Sequence, residues 1–247
     1  ELELESGAPE RLFDLASEIG KVVPFRLATE SKASRGYALF TQEEPQPRKY
    51  VKLNLSKDDT VEQVLTELVQ HCLDHLRANE DVVLKTDNAE GVHQMRVALR
   101  RLRAALRVFK SSLPGDQYGW AVAEAKWLTA ELSAPRAWDV FADEFVAPVA
   151  GLCKEDQGVD ALWAAVEQAR KQSRQRARDA IGMERYTEFL LRLSAWLSGQ
   201  AWRDQPVTAR TTRLLDPIGD HCVKLLRKRD RNVRKQGQDI ATLSEDA

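Results

Sequence analysis

The chain has 247 residues, 43% of them hydrophobic and 30% charged, a balance that excludes a disordered protein and indicates a globular one. No apolar run approaches the roughly 20 residues that a membrane-spanning helix needs, so no membrane partner is expected. The formal net charge is only −1, but acidic and basic side chains are segregated along the chain, which indicates local anion binding.

The first 49 residues show several different patterns. Residues 1–5 alternate Glu and Leu, which is the period of a half-exposed β-strand. Apolar residues at helical spacing predict a helix over residues 9–21, which Pro24 ends, and an extended piece is predicted over residues 25–40. Residues 41–49 are polar and proline-spaced, which is typical of a linker.

From Thr60 onward the pattern is helical. Thr60 and Gln63 have the spacing of a capping box at the start of one helix, and Asp87 or Asn88 can cap the next, at about residues 92–110. The short connections favour antiparallel neighbours, so the expected fold class is mainly α, an up-and-down helical bundle. Further helices are predicted at residues 117–132, 139–152, 159–181, 184–197 and 214–243, the last interrupted near Gly237.

The helix predicted at residues 92–110 has one strongly basic flank. Neighbouring charges on this flank are alike, and each like-charged pair one turn apart costs about 0.2–0.5 kcal/mol. A charged helix face is ordinarily just solvated, but such a face interleaves acids with bases, so a bound anion explains this flank better. Arginine suits phosphate oxygens because its fork binds them in pairs. At 100° per residue, six basic side chains fall within about 100° of arc: His93, Arg96, Arg100, Arg103, Arg107 and Lys110.

Two later helices repeat the basic pattern, and several such ridges lining one groove would neutralise a linear polyanion. On residues 159–181, anion binding and a solvated face are equally favoured for a third stripe, and His221 is a weaker candidate ligand before the last helix. The third stripe consists of Arg170, Lys171, Arg174 and Arg178. The second stripe, within about 120° of arc on the last helix, consists of Lys224, Arg227, Lys228, Arg231, Arg234 and Lys235.

Residues 92–109, VHQMRVALRRLRAALRVF, closely resemble the signature helix of CHAD domains, the conserved histidine α-helical domains. Residues 128–140 and 185–193 support the resemblance, which extends from about Lys49 to the last residue. The resemblance implies a bundle with internal pseudo-twofold symmetry, a basic central groove, and binding of inorganic polyphosphate without catalysis or cofactor. It implies phosphate ligands at these positions: His93, Arg96, Arg100, Arg103, Arg107 and Arg136.

Two departures from the CHAD pattern stand out. The family usually has Arg-Asp-x-Asp where this sequence has Arg136-Ala137-Trp138-Asp139. CHAD domains also carry a second His-x-x-Arg helix, which does not occur before Ala247. We therefore expect this sequence to hold the N-terminal half of the pseudo-twofold fold, with a more open and weaker groove.

Residues 1–7 and 31–37 resemble the closing part of a CYTH domain, a triphosphate tunnel metalloenzyme, and CYTH–CHAD fusions are a known arrangement. Lys32 and Arg35 would then hold triphosphate oxygens. An acidic edge strand that resists aggregation is the alternative. A partial barrel cannot close, so this chain alone is not expected to be catalytic. Hard oxygen ligands for Mg²⁺ or Mn²⁺ in a complete CYTH domain would come from one strand face: Glu1, Glu3 and Glu5.

The predicted organisation is a small α/β CYTH remnant at residues 1–40, a linker at 41–49 and a CHAD helical domain at 50–247, incomplete at its C-terminus. Three widely spaced cysteines indicate reduced thiols and a cytoplasmic location. The resemblance to CHAD domains implies that this location includes polyphosphate granules. His71 and His75, one turn apart, could bind zinc but lack an evident third ligand. The sequence leaves the oligomeric state open.

Three functions remain under consideration. The first is polyphosphate binding that targets the protein to polyphosphate, and the second is a metal-dependent inorganic triphosphatase of which only the closing part is present. The third, nucleic-acid binding, is the least favoured, because the basic flank lacks aromatic side chains for base stacking and Asn or Gln for base edges.

Overall fold

The computed structural model describes residues 2–28, 31–113, 115–153, 156–203, 206–208 and 211–240, without the side chains of 238–240. The described residues form helices and no strand, which confirms the mainly α fold class. A π-helical turn, Phe141–Val146, joins α7 to α8, and a 3-10 turn, Thr212–Leu215, precedes α11. The helices are α1 Glu10–Gly20, α2 Lys32–Thr41, α3 Val61–Arg77, α4 Glu80–Lys85, α5 Ala89–Phe109, α6 Gly115–Glu131, α7 Ser133–Val140, α8 Ala147–Leu152, α9 Gln157–Gly182, α10 Glu184–Ser198 and α11 Ile218–Ile240.

The predictions of β structure near the N-terminus are wrong. Residues 2–5 form no strand, and Glu1 lies outside the described residues. The piece predicted as extended over residues 25–40 is largely the helix α2, which Ser31 caps by accepting a hydrogen bond from the Ser34 amide at 3.1 Å. Alternation of Glu and Leu does not make a strand where no neighbouring strand pairs with it, because its backbone groups would stay unpaired.

Helices α3 and α5 pack against each other along their length and form the centre of the main core. The capping box predicted at Thr60 and Gln63 is confirmed, and Asn88 caps α5 by accepting from the Glu90 amide at 2.9 Å. The apolar stripe of α5 is buried, which leaves its basic flank outside the core. Large buried side chains of this core include Leu65, Leu73, Met95, Leu99, Leu102, Phe109 and Phe189.

Helix α11 is held at its first turn and projects away from the bundle after it. The Ile218 amide donates to the Asp59 carbonyl at 2.8 Å and the Gly219 amide to the Lys57 carbonyl at 3.0 Å. From residue 226 to residue 237 every side chain is exposed. The helix continues through Gly237, so the predicted interruption there is wrong; one glycine costs about 1 kcal/mol in a helix but does not break it.

Two segments without regular secondary structure, residues 24–28 and 43–56, are tied to the bundle by hydrogen bonds. In the first, Arg77 donates to the Ala28 carbonyl at 2.9 Å. In the second, Nε2 of His71 lies 2.7 Å from the Val51 carbonyl oxygen, and His75 lies similarly against the backbone of residue 48. Within the described chain these histidines therefore bind backbone, and no third metal ligand accompanies them, so the zinc site considered for them is not formed.

The carboxyl group of Glu80, on α4, is buried against α10. Glu80 accepts a hydrogen bond from the hydroxyl of Tyr186 at 2.5 Å, and both residues are buried. Burial raises the pKa of Glu80 from its ordinary value of 4.5 to about 7, against the lowering effects of the Tyr186 hydrogen bond and of Arg77. The folded protein therefore keeps a proton that the unfolded chain releases between about pH 4.5 and pH 7.

We expect the free energy of unfolding to fall as pH rises through this window and to level off above it. Glu80→Gln keeps an acceptor for Tyr186 but carries no charge, so it should raise the free energy of unfolding at pH 8 by about 2 kcal/mol. It should also remove the decline expected of the unmodified chain between about pH 4.5 and pH 7. Urea unfolding at several pH values measures both effects, and equal pH profiles for the two proteins would contradict the assignment.

Candidate functional site

The basic flank of α5 lies outside the core, next to the buried apolar stripe. Arg100, Arg107 and Lys110 are exposed, and Arg96 and Arg103 are half-buried. In the part of the chain that the structure describes, no carboxylate lies within ion-pair distance of the guanidinium groups of Arg100, Arg103 or Arg107. These three arginines therefore carry positive charge that no carboxylate of the described residues neutralises.

Arg96 is held in place at the centre of a group of three arginines. Its Nη1 donates to Ser133 Oγ at 2.5 Å and to the Thr129 carbonyl oxygen at 3.2 Å. Burial lowers the pKa of Arg96, and repulsion from Arg136 and Arg100 lowers it further. Arg96 is thus close enough to Arg100 and Arg136 to be repelled by both, and a bound anion would relieve that repulsion. We call these three residues the Arg96 cluster.

A second basic feature, the α5–α11 cleft, forms where the end of α5 meets the beginning of α11. Its volume is about 720 Å³. His221 stacks on Phe109 with ring centroids 5.9 Å apart, which fixes the position of α11 beside α5. The Asp216 carboxylate also lines the cleft. The cationic and imidazole side chains that line it are Arg107, Lys110, Arg213, His221, Lys224 and Lys228.

The structure thus brings residues of the first and second predicted stripes into one cleft. Arg213 was missed by sequence reasoning, because it lies in a 3-10 turn without helical periodicity. His93 is half-buried on the same flank of α5, three residues before Arg96. Arg234 pairs with Asp230 at 2.8 Å on the exposed surface. The second-stripe residues that do not line the cleft are Arg227, Arg231, Arg234 and Lys235.

Three arginines of the third stripe have structural partners instead. Arg170 Nε and Arg174 Nη2 both donate to Oδ1 of the buried Asp139, at 3.1 and 2.7 Å. Arg178 Nη2 donates to Asp87 Oδ1 at 2.8 Å and to a backbone carbonyl oxygen at 2.9 Å. Anion binding, considered for this stripe, does not hold for these three side chains, because each one is already neutralised by a carboxylate.

The arrangement predicted for a CYTH remnant is not formed. Glu3 and Glu5 are exposed in a segment without a strand, and Lys32 and Arg35 lie in the first turn of α2 rather than in an extended piece. Among the residues with described positions, no three His, Cys, Asp or Glu side chains are grouped closely enough to hold a metal ion.

Fold and surface together define a helical bundle in which three arginines on one flank of α5 have no ion pair within the described residues. The family model of the CHAD domain matches residues 67–247, and the chain therefore belongs to the CHAD family. Three solved chains match it in structure. One of them is the crystal structure of the CHAD domain from the plant Ricinus communis, with a TM-score of 0.62 and 25% sequence identity.

That similarity covers 82% of this chain and 63% of the plant chain, so this chain spans less than two thirds of its relative. The comparison with curated proteins gave no match. Nothing in these comparisons identifies a CYTH domain in the N-terminal residues, which precede the matched region. Of the described helices, none is both long and apolar enough to cross a membrane.

Proposed function

We propose that this chain binds inorganic polyphosphate through the Arg96 cluster and the α5–α11 cleft. Binding would target the protein to polyphosphate, including polyphosphate granules in the cytoplasm. The observation that carries the proposal is the Arg96 cluster: Arg96 is anchored to α6 and α7, and it is repelled by Arg100 and Arg136 with no carboxylate nearby in the described structure. An anion is the partner that such a group lacks.

The chemistry of the surface favours a phosphate chain. Arginine stays charged and presents two parallel donors to phosphate oxygens, and charge-assisted hydrogen bonds of this kind are about twice as strong as neutral ones. Each phosphate that is neutralised also releases a condensed counterion, which favours linear polyanions over isolated phosphate. Family membership supports the same ligand, since CHAD domains are expected to bind polyphosphate without a cofactor.

The two other functions have less support. A triphosphatase needs a metal site and a closed tunnel, and neither Glu3 and Glu5 nor Lys32 and Arg35 lie in strands. Binding of single-stranded nucleic acid typically uses exposed aromatic rings for stacking. Two tryptophans of α6 are instead covered by arginines of α10, Trp120 by Arg192 and Trp127 by Arg185, each at 4.2 Å from the ring centroid.

Salt dependence tests the proposal. We expect long-chain polyphosphate to bind saturably at low salt, and the affinity to fall by about 10³ between 50 and 200 mM salt, as for proteins that neutralise six or more phosphates. Double-stranded DNA at equal phosphate concentration should not displace the polyphosphate. Calorimetric titration at four salt concentrations measures the slope. Absence of saturable binding, or release of phosphate from tripolyphosphate with Mg²⁺ or Mn²⁺, would argue for a different function.

A further inference from the structure

Cationic side chains from other helices and turns join the basic flank of α5 at two places along the helix. The Arg96 cluster lies in its first half, and Arg107 begins the lining of the α5–α11 cleft at its end. At 1.5 Å per residue, Arg96 and Arg107 are separated by about 16 Å along the helix axis. Three phosphates joined by two bridging oxygens are shorter than this separation, whereas a longer chain can reach both places.

The two places are also built differently. Arg96 is held by two hydrogen bonds to α6 and α7, so its guanidinium group has a fixed position, and the positive charges of Arg100 and Arg136 act on it. The cleft is a larger space of about 720 Å³ lined partly by the flexible side chains of Lys224 and Lys228. One site thus suits a single phosphate group, and the other suits a run of several.

The stretch between the two places keeps the same sign of charge. Arg103 lies half-buried on the flank between Arg100 and Arg107, and it has no ion pair or side-chain hydrogen bond within the described residues. The sequence from Val92 to Lys110 contains no acidic residue. A phosphate chain that leaves the Arg96 cluster therefore meets no repulsive charge on α5 before it reaches the cleft.

We infer that the Arg96 cluster and the α5–α11 cleft are two separate anion subsites, which only a linear polyanion long enough to bridge them occupies together. This inference rests on the proposed function and adds selection by length to it. Tripolyphosphate would occupy each subsite independently. A longer chain bound at one subsite meets the other at an effective concentration in the millimolar range, so its affinity rises by about 10²–10⁴-fold over that of the short ligand.

Calorimetry with tripolyphosphate and long-chain polyphosphate tests the bridging. The unmodified chain should bind two tripolyphosphates, and it should bind the long polymer at least about 100-fold more tightly. Arg100→Glu removes one subsite, and the pair Lys224→Glu and Lys228→Glu removes the other. Each variant should bind a single tripolyphosphate with little change in its affinity, and should lose about 100-fold in affinity for the long polymer.

A matched control carries the same number of reversed charges elsewhere. Lys52, which precedes α3, and Arg176 on α9 are exposed and have no side-chain partner within the described residues, so changing both to Glu should leave all these values unchanged. One tripolyphosphate per unmodified chain, or equal losses for both ligands in each variant, would overturn the bridging but not the proposed function. No saturable binding of the long polymer by the unmodified chain would overturn both.

Discussion

Changing Arg100 and Arg103 together to glutamate is expected to weaken the binding of long-chain polyphosphate by at least 10²-fold. A hydrogen bond to a charged group contributes about 1.5–3 kcal/mol, so losing two of them costs about 3–6 kcal/mol, or a factor of 10²–10⁴. The new carboxylates also repel phosphate. The double change acts on the region between the two subsites and on the Arg96 cluster at once, which makes its effect larger than that of either single change.

The same double variant should fold normally. Neither Arg100 nor Arg103 has an ion pair or side-chain hydrogen bond in the described structure, and both lie outside the buried stripe of α5. Each new carboxylate lies one turn from Arg96 or Arg107, so two like-charged pairs become opposite pairs that stabilise the helix by about 0.2–0.5 kcal/mol each, while positions 100 and 103 remain a like-charged pair. Without polyphosphate, its melting temperature should equal or slightly exceed that of the unmodified chain.

Circular dichroism and a binding titration on one sample distinguish the two effects. The variant with Lys52 and Arg176 changed to glutamate serves as the control for net charge. Full helicity with lost binding is the expected result. Unchanged polyphosphate affinity in a folded double variant would show that the flank of α5 is not where the polymer binds.

Asp139→Ala is expected to lower the free energy of unfolding by about 3 kcal/mol, because it leaves two arginines without their buried partner. Arg170 keeps Glu167 and Asp143 within ion-pair distance and Arg174 keeps Asp87, so the loss lies at the low end of the range for a broken buried ion pair. The Asp139 side chain is fully buried, and those of Arg170 and Arg174 are only 14% and 12% exposed. Oδ1 accepts from both guanidinium groups, and the buried Oδ2 has no hydrogen-bond partner in the described structure. The ion pairs join α7 to α9, so their loss should loosen the packing of these two helices.

Asp143 provides a matched control on the same arginine. Its carboxylate lies 3.6 Å from Arg170 Nη2 but is 61% exposed, so Asp143→Ala should cost less than about 1 kcal/mol. Urea unfolding followed by circular dichroism gives both values. If the two variants lost similarly little free energy of unfolding, the buried Asp139 carboxylate would stabilise the protein no more than the exposed Asp143 carboxylate. The structural role assigned to Asp139 would then be wrong.

Much of the α5 site could be predicted from local sequence. The 3.6-residue period separates the apolar stripe from the basic flank, and the caps at Thr60 and Asn88 mark where α3 and α5 begin. These features depend on residues within one or two turns of each other, so a single sequence contains them. The mainly helical fold class was predictable for the same reason.

The N-terminal segment could not be predicted in this way. A strand depends on a neighbouring strand to pair its backbone groups, and the alternation of Glu and Leu at residues 2–5 carries no information about whether that neighbour exists. The prediction of an extended piece was likewise wrong, because Ser31 caps α2. That cap is a local signal of a helix, but the resemblance to a tunnel domain favoured an extended piece instead.

What the sequence by itself determined is the fold class and the cationic flank of α5, because helical periodicity and capping are local. Only the tertiary structure decided which cations are unneutralised. Arg170 and Arg178 lie on a basic helix face like that of α5, but carboxylates 31 and 91 residues away in sequence neutralise them. Arg107 and Lys224 meet in one cleft because the start of α11 is hydrogen-bonded to the bundle beside α5. Charge pairing between distant segments depends on how the helices pack, so the periodicity within one helix does not predict it.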